Sequence, residues 1–199
     1  DKKFNFLHTC RQAAAEAEKL FGINARIILA QGALESGWGK FLFATEHHNF
    51  FGLMGYGASN AIGMGSGYIE TAYGTHHFRH YESAHLSFLD FARLIRSAYP
   101  RAYHFSFQPE AYAKEIAYSP YISEQNGDNR DLYRRNIIAL EADIGRLLDW
   151  EGAGLPARSL PARFLQHENI NNPRNGGNGG QTPPLPGGPR PNGYQLSNT

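Results

Sequence analysis

Ala30-Gln31-Gly32-Ala33-Leu34-Glu35-Ser36-Gly37-Trp38-Gly39-Lys40 closes an apolar run on a carboxylate, then breaks it with two glycines around a tryptophan. Upstream, Asn24 is a good helix N-cap, and Ile27, Ile28, Gln31 and Leu34 recur at three- and four-residue steps. The spacing predicts a helix from about Asn24 to Glu35 that Gly37 and Gly39 stop. A Glu at that place meets the negative end of the helix dipole and an apolar wall. Both disfavour the ionised form and push its pKa up, as a general acid working near neutrality requires. The same residue also reads as a solvated Glu at a fraying helix end, and the segment alone does not choose.

Working outward, Phe6, Leu7, Cys10, Ala13, Ala14, Ala17, Leu20 and Phe21 predict a first helix over 5–21 that Gly22 ends. Glycines at 52, 55, 57, 63, 65, 67 and 74 exclude a helix over 49–81. Within that stretch, Tyr68-Ile69-Glu70-Thr71-Ala72-Tyr73 and Thr75-His76-His77-Phe78-Arg79 read as a short hairpin turning at Gly74. Ser83 caps a further helix carrying Leu86, Leu89, Leu94 and Ile95, which ends before Pro100. Pro109 suits the first turn of a short helix through Ile116. Leu132, Tyr133, Ile137, Leu140, Ile144, Leu147 and Leu148 form the apolar stripe of a last helix from about Asp128 to Asp149. The fold class is therefore α+β, mostly helical, with a small β-hairpin lobe.

Composition narrows the function. Of 199 residues, 41% are hydrophobic, with 13 Phe and 11 Tyr, enough to bury a core. The 19 Lys and Arg against 18 Asp and Glu give a net charge of +1, which argues against a nucleic-acid binder. No run reaches the roughly 18 apolar residues of a membrane span, and a single cysteine, Cys10, excludes an internal disulfide framework. The histidines of His47-His48 and His76-His77-x-x-His80 invite a metal reading. Adjacent histidines on a strand point to opposite sides, and no carboxylate stands at the spacing of known zinc motifs, so no metal or other cofactor is expected. The run 52–67 holds neither a G-x-G-x-x-G nor a Walker sequence.

The composition changes near residue 150. Residues 151–199 contain nine Gly, eight Pro and seven Asn, 24 of 49 positions. Segments such as Pro183-Pro184-Leu185-Pro186-Gly187-Gly188-Pro189 cannot form a packed core. The chain divides into a folded domain over 1–150 and an extended Gly/Pro/Asn-rich arm over 151–199. The arm is expected to lie across a protein partner in a larger assembly, anchored by Leu160, Phe164, Leu165, Leu185, Tyr194 and Leu196. A flexible linker is the plainer reading.

The segment around Glu35 resembles the signature of glycoside hydrolase family 73, the β-N-acetylglucosaminidases of bacterial peptidoglycan, found in flagellar hydrolases, autolysins and phage lysins. The other blocks follow in the family's order: Asn49-Phe50-Phe51-Gly52-Leu53, Phe78-Arg79-His80-Tyr81-Glu82-Ser83, and the weaker Tyr118-Ser119-Pro120-Tyr121. The resemblance spans roughly 5–148. It implies a lysozyme-like fold and an endo-β-N-acetylglucosaminidase with Glu35 as the general acid. It implies a second carboxylate on the hairpin lobe, here Glu70, the only acidic residue between Glu46 and Glu82. A separation of ~6.5–9.5 Å between the two carboxyls would leave room for a water and imply inversion. The substrate's own acetamido group is the other way to complete the reaction, and Glu46 and Glu82 are the remaining acidic candidates. Trp38, Phe50, Tyr73 and Tyr118 are placed to stack on sugar rings. Tyr118 matches the family tyrosine that faces the active site, while the other three read equally well as core.

The sequence departs from the family pattern at three places. Met54 stands where a Lys usually follows the Asn-Leu-Phe-Gly-Ile block, the Asp of the last block is absent at Tyr118-Ser119-Pro120, and Glu124–Asp131 looks inserted. The expected function is hydrolysis of the wall glycan on the N-acetylglucosamine side. Its setting is periplasmic or extracellular, with a flagellar rod, a secreted autolysin or a virion-associated phage tail as contexts. The alternatives are an N-acetylmuramidase, a lytic transglycosylase, or a non-catalytic wall-binding subunit.

Overall fold

The computed structural model describes residues 1–54, 66–71 and 74–150, without the side chains of 66–77, 126 and 150. Tyr73 and the arm over 151–199 lie outside the described residues. In chain order the elements are α1 (Lys2–Phe21), α2 (Ala25–Ser36), α3 (Leu42–His47), β1 (Ser66–Thr71), β2 (Gly74–Arg79), α4 (Ala84–Ala98), α5 (Pro100–His104), α6 (Pro109–Ala117) and α7 (Arg130–Trp150). A 3-10 turn at Glu124–Asn126 precedes α7. The expected mostly helical α+β class holds.

Helix α2 is the centre of the molecule. It packs against α1 and α7, and almost every residue from Ala25 to Ser36 is buried. A helix buried all round needs its polar ends satisfied from elsewhere. At its start, Asn24 Oδ1 accepts from the Arg26 amide at 3.1 Å, and Glu18 of α1 accepts from the Ala25 amide at 3.1 Å. Burial raises the Glu18 carboxyl above its ordinary range, and the Ala25 hydrogen bond lowers it in part. Arg26 pairs with Glu141 of α7 at 3.0 Å, which locks the start of α2 to the last helix.

Gly32 sits where α2 meets the aromatic core. A Cβ there would stand 3.3 Å from the ring tips of both Phe51 and Phe88. Phe51 stacks on Phe91 with centroids 3.8 Å apart, so that contact has little slack.

The hairpin is antiparallel with Glu70 opposite Thr75 and Thr71 opposite Gly74. Gly74 is thus the first residue of β2, paired with Thr71, and not the turn itself. Asn49 ties the hairpin's exit to the helical body. Its amide nitrogen donates to the carbonyls of Leu53 and Arg79, both at 2.9 Å, while its Oδ1 accepts from Leu53 N at 3.1 Å. Arg79 N donates to Leu53 O at 2.9 Å, and Phe78 stacks on Phe43 of α3 at 4.9 Å. Below this clasp, Asp90 of α4 is fully buried and accepts from the Tyr81 hydroxyl. It also pairs with Arg93 at 2.9 Å and Arg79 at 3.6 Å. The Asn-Phe-Phe-Gly and Phe-Arg-x-Tyr blocks are thus one structural joint.

Helices α3 and α5 were not expected. Helix α3 has only six residues and no side-chain cap, too few to display a period. Pro100 reads as a stop for α4, but it occupies the first turn of α5, where its missing N–H is no loss.

Candidate active site

Glu35 lies in the last turn of α2 and is 4% exposed. The chain reverses directly after it through three consecutive left-handed residues, Gly37, Trp38 and Gly39, with φ of 57°, 59° and 77°. Gly37 suits this place because glycine adopts that conformation without penalty. Trp38 does not, and a bulky residue held there carries local strain of order 1–3 kcal/mol. Ser36 stabilises the turn: its hydroxyl donates to Gly32 O at 2.6 Å and accepts from Gly39 N at 2.8 Å. The Gly37 and Trp38 amides both donate to Ala33 O.

On the α7 side, the Tyr133 hydroxyl donates to Glu35 Oε1 at 2.7 Å. Burial removes the water that would stabilise a carboxylate here, and this hydrogen bond returns part of that stabilisation. Tyr133 accepts in turn from Gln31 Nε2 at 3.0 Å, and Gln31 Oε1 accepts from the Tyr112 hydroxyl of α6 at 2.6 Å. Gln31, Tyr112 and Tyr133 are all buried to 1% exposure or less. Burial first, and the Glu35 charge second, push the Tyr112 hydroxyl far above the ordinary tyrosine range, so it stays a donor.

Sequence reasoning placed Gln31 and Tyr133 in apolar stripes and passed over Tyr112. The available signal was an uncharged polar side chain one helical turn before Glu35, on the same inward face.

The remaining candidates lie as follows. The Trp38 ring meets Phe6 of α1 edge-on at 5.5 Å, with the Lys3 ammonium 5.3 Å from its centroid. Phe50 is buried between Phe6 at 6.1 Å and Phe88 at 5.9 Å, so core packing describes its place. Both rings brace the reversal that follows Glu35. Tyr118 stands at the end of α6, 55% exposed, with its hydroxyl donating to Asp131 Oδ1 at 2.6 Å. That hydrogen bond raises the hydroxyl's pKa. The carboxylate beside this tyrosine comes from the stretch that looks inserted. Arg130 holds the same loop by donating to the carbonyls of Ala117 at 2.7 Å and Ser119 at 3.0 Å. Tyr121 packs its ring on Tyr133 at 6.3 Å and thereby touches the group bonded to Glu35.

Glu70 is the fifth residue of β1, and its side chain lies outside the described ones. Glu46 and Glu82 are exposed. His47 and His80 bring their Nδ1 atoms to 3.1 Å, while His48 Nδ1 lies 2.9 Å from Tyr81 O. The neighbouring histidines 47 and 48 thus face different partners. Among the described residues no group of three His, Cys, Asp or Glu is placed to hold a metal ion, and no helix is long and apolar enough to cross a membrane.

The glucosaminidase family model, described as mannosyl-glycoprotein endo-beta-N-acetylglucosaminidase, matches residues 11–144. The peptidoglycan hydrolase FlgJ of Pseudomonas aeruginosa is 28% identical over 164 residues, covering 76% of this chain and 39% of that protein. A putative endo-beta-N-acetylglucosaminidase of Streptococcus pneumoniae is 49% identical over 41 residues, 21% of this chain and 6% of that protein. The chain thus spans well under half the length of these curated relatives. Among solved structures, the glycoside hydrolase domain of Salmonella typhimurium FlgJ superposes with a TM-score of 0.61 at 25% identity, over 76% of this chain and 93% of that one. The catalytic domain of the Listeria monocytogenes autolysin Auto shares the fold, with a TM-score of 0.51 at 17% identity over 72% of this chain and 84% of that one.

Proposed function

This chain belongs to the glucosaminidase family of glycoside hydrolases, and from that premise we propose that it cleaves bacterial peptidoglycan on the N-acetylglucosamine side, with Glu35 as the general acid. The observation that carries this reading is a buried carboxyl group at a helix end, one oxygen held by Tyr133 and the chain folded away directly after it. Such a group delivers a proton to the glycosidic oxygen as the bond breaks, while the sugar takes on oxocarbenium character. Glu70, on the hairpin lobe, or the substrate's acetamido group completes the reaction. Tyr118 offers an exposed ring whose hydroxyl is already fixed, which suits stacking on a sugar face. Trp38 contributes by holding the reversal after Glu35, with its ring edge as a further contact.

The substrate class is tested by clearing of purified sacculi. The isolated chain should clear them. A chain that leaves sacculi intact while cutting mannosyl-glycoprotein glycans would overturn the wall assignment.

Action on the wall places the chain in the periplasm or outside the cell. We assign residues 151–199 the role of docking the catalytic domain onto a protein of a flagellar rod or a phage tail, the latter making it virion-associated. The support is a composition that follows an irregular surface without needing a core of its own. Truncation after Glu151 should leave hydrolysis at a similar rate and abolish incorporation into the assembly. Normal incorporation, or loss of the fold, would contradict that role.

A further inference from the structure

Three hydrogen bonds across α2, α6 and α7 run in one direction and end on the catalytic carboxyl. We propose that Tyr112, Gln31 and Tyr133 are positioning residues that act as a polarised chain, aiming the Tyr133 proton at Glu35 Oε1 and thereby keeping the acid's own proton on Oε2. The inference rests on Glu35 being the general acid.

A hydroxyl has one proton to give. Tyr133 directs it to Glu35 at 2.7 Å because its oxygen already accepts from Gln31 Nε2 at 3.0 Å. Gln31 can present its amino group to Tyr133 only while its carbonyl end is claimed elsewhere, and the Tyr112 hydroxyl claims it at 2.6 Å. If the Gln31 amide turned over, its oxygen would face Tyr133 and draw the Tyr133 proton away from Glu35. Tyr112 therefore sets the polarity at Glu35 through Gln31 and Tyr133. With Oε1 engaged as acceptor, the acidic proton belongs on Oε2, and from there it passes to the glycosidic oxygen.

Among the described residues, several charged groups of the surrounding elements have partners of their own. Arg26 of α2 and Glu141 of α7 pair with each other at the far end of α2, about 13 Å along the helix from Glu35. Lys3 of α1 pairs with Asp143 at 2.7 Å. Glu18 of α1 accepts from the Ala25 amide. Asp90 of α4 is held by Tyr81, Arg79 and Arg93. Among the described residues, the tyrosines linked to Glu35 are Tyr133 on α7, which bonds it directly, Tyr112 on α6, which acts through Gln31 and Tyr133, and Tyr121, in ring contact with Tyr133.

The test is the pH dependence of kcat on purified sacculi for Tyr133→Phe and Tyr112→Phe, with Glu35→Gln in the same series. A general acid must be protonated, so activity falls above its pKa and the alkaline limb reports it. Loss of the Tyr133 hydroxyl removes a donor to the carboxylate, so the limb should move up by about one pH unit. Tyr112→Phe should move it in the same direction by less, roughly a few tenths of a unit, with KM unchanged. Each variant decides independently, so a misfolded Tyr133→Phe leaves Tyr112→Phe to settle the matter. A lowered kcat with an unmoved limb in a folded Tyr112→Phe would reduce the chain to packing and overturn the proposal. If Glu35→Gln kept its rate, the acid assignment would fall instead, so the two failures are distinguishable.

Discussion

Glu35→Gln is expected to lower hydrolysis of purified peptidoglycan by ~10²–10⁴-fold or more while leaving the fold intact. The amide keeps the shape of the carboxyl and still accepts from the Tyr133 hydroxyl, but it has no acidic proton to give the leaving oxygen. Stability should not suffer. Glu35 is a buried group at the negative end of α2, and a neutral side chain there is at least as well tolerated as a charged one. The variant should melt at the wild-type temperature or above it. Glu70→Gln is expected to cost less if the substrate acetamide assists. Near-normal clearing by Glu35→Gln would remove it from the mechanism, and an unchanged rate in Glu70→Gln would move the second role to the substrate or another residue.

The second large effect is on stability and lies away from the acid. Asp90→Ala should destabilise the domain by about 3 kcal/mol or more, because removing one member of a buried charged cluster leaves its partners desolvated without their counter-charge. Asp90 is fully buried and serves Tyr81, Arg79 and Arg93 together. Burial and the Asp90 charge push the Tyr81 hydroxyl well above the tyrosine range, so it remains a donor to this carboxylate. In a domain of this size the loss corresponds to a fall of roughly 6–12 °C in Tm. Arg79 ends β2 and Asp90 belongs to α4, so the hairpin lobe should loosen first, visible as early hydrogen exchange at the Arg79 amide. A melting point within about 2 °C of wild type would contradict this role for the cluster.

Much of the fold was legible because the long elements advertise themselves. Helix α2 carries Asn24 before it and Gly37 after it, and both cap as their residue types require. Ser83 accepts from the Leu86 amide at the head of α4, and Gly22 closes α1 with φ 78°. What escaped is short or cooperative. Helix α3 buries Phe43 and Ala44, with Phe43 stacked on the sequence-distant Phe78, and six residues cannot show periodicity. At the site, Glu35 stood out because a carboxylate that closes an apolar helix against two glycines contributes nothing to packing there. Its partners did not stand out. Tyr133 and Gln31 occupy inward positions that an apolar residue would fill equally well, and 102 residues separate them in the chain. Only the crossing of α2 over α7 turns two polar side chains in core stripes into a hydrogen-bonded pair. The carboxylate at Tyr118 was hidden differently: Asp131 lies 13 residues further on, at the start of α7, within the stretch that looks inserted.

The most direct test of the account is the chemical identity of the new chain ends. Purified sacculi digested with the chain, reduced with borohydride and acid-hydrolysed to their sugars, should yield glucosaminitol from the new reduced end, and the Glu35→Gln variant should yield less by ~10²-fold or more over the same time. Reduced muramic acid as the new end, or a non-reducing 1,6-anhydromuramic end, would place the cut on the other side of the disaccharide and contradict the assignment.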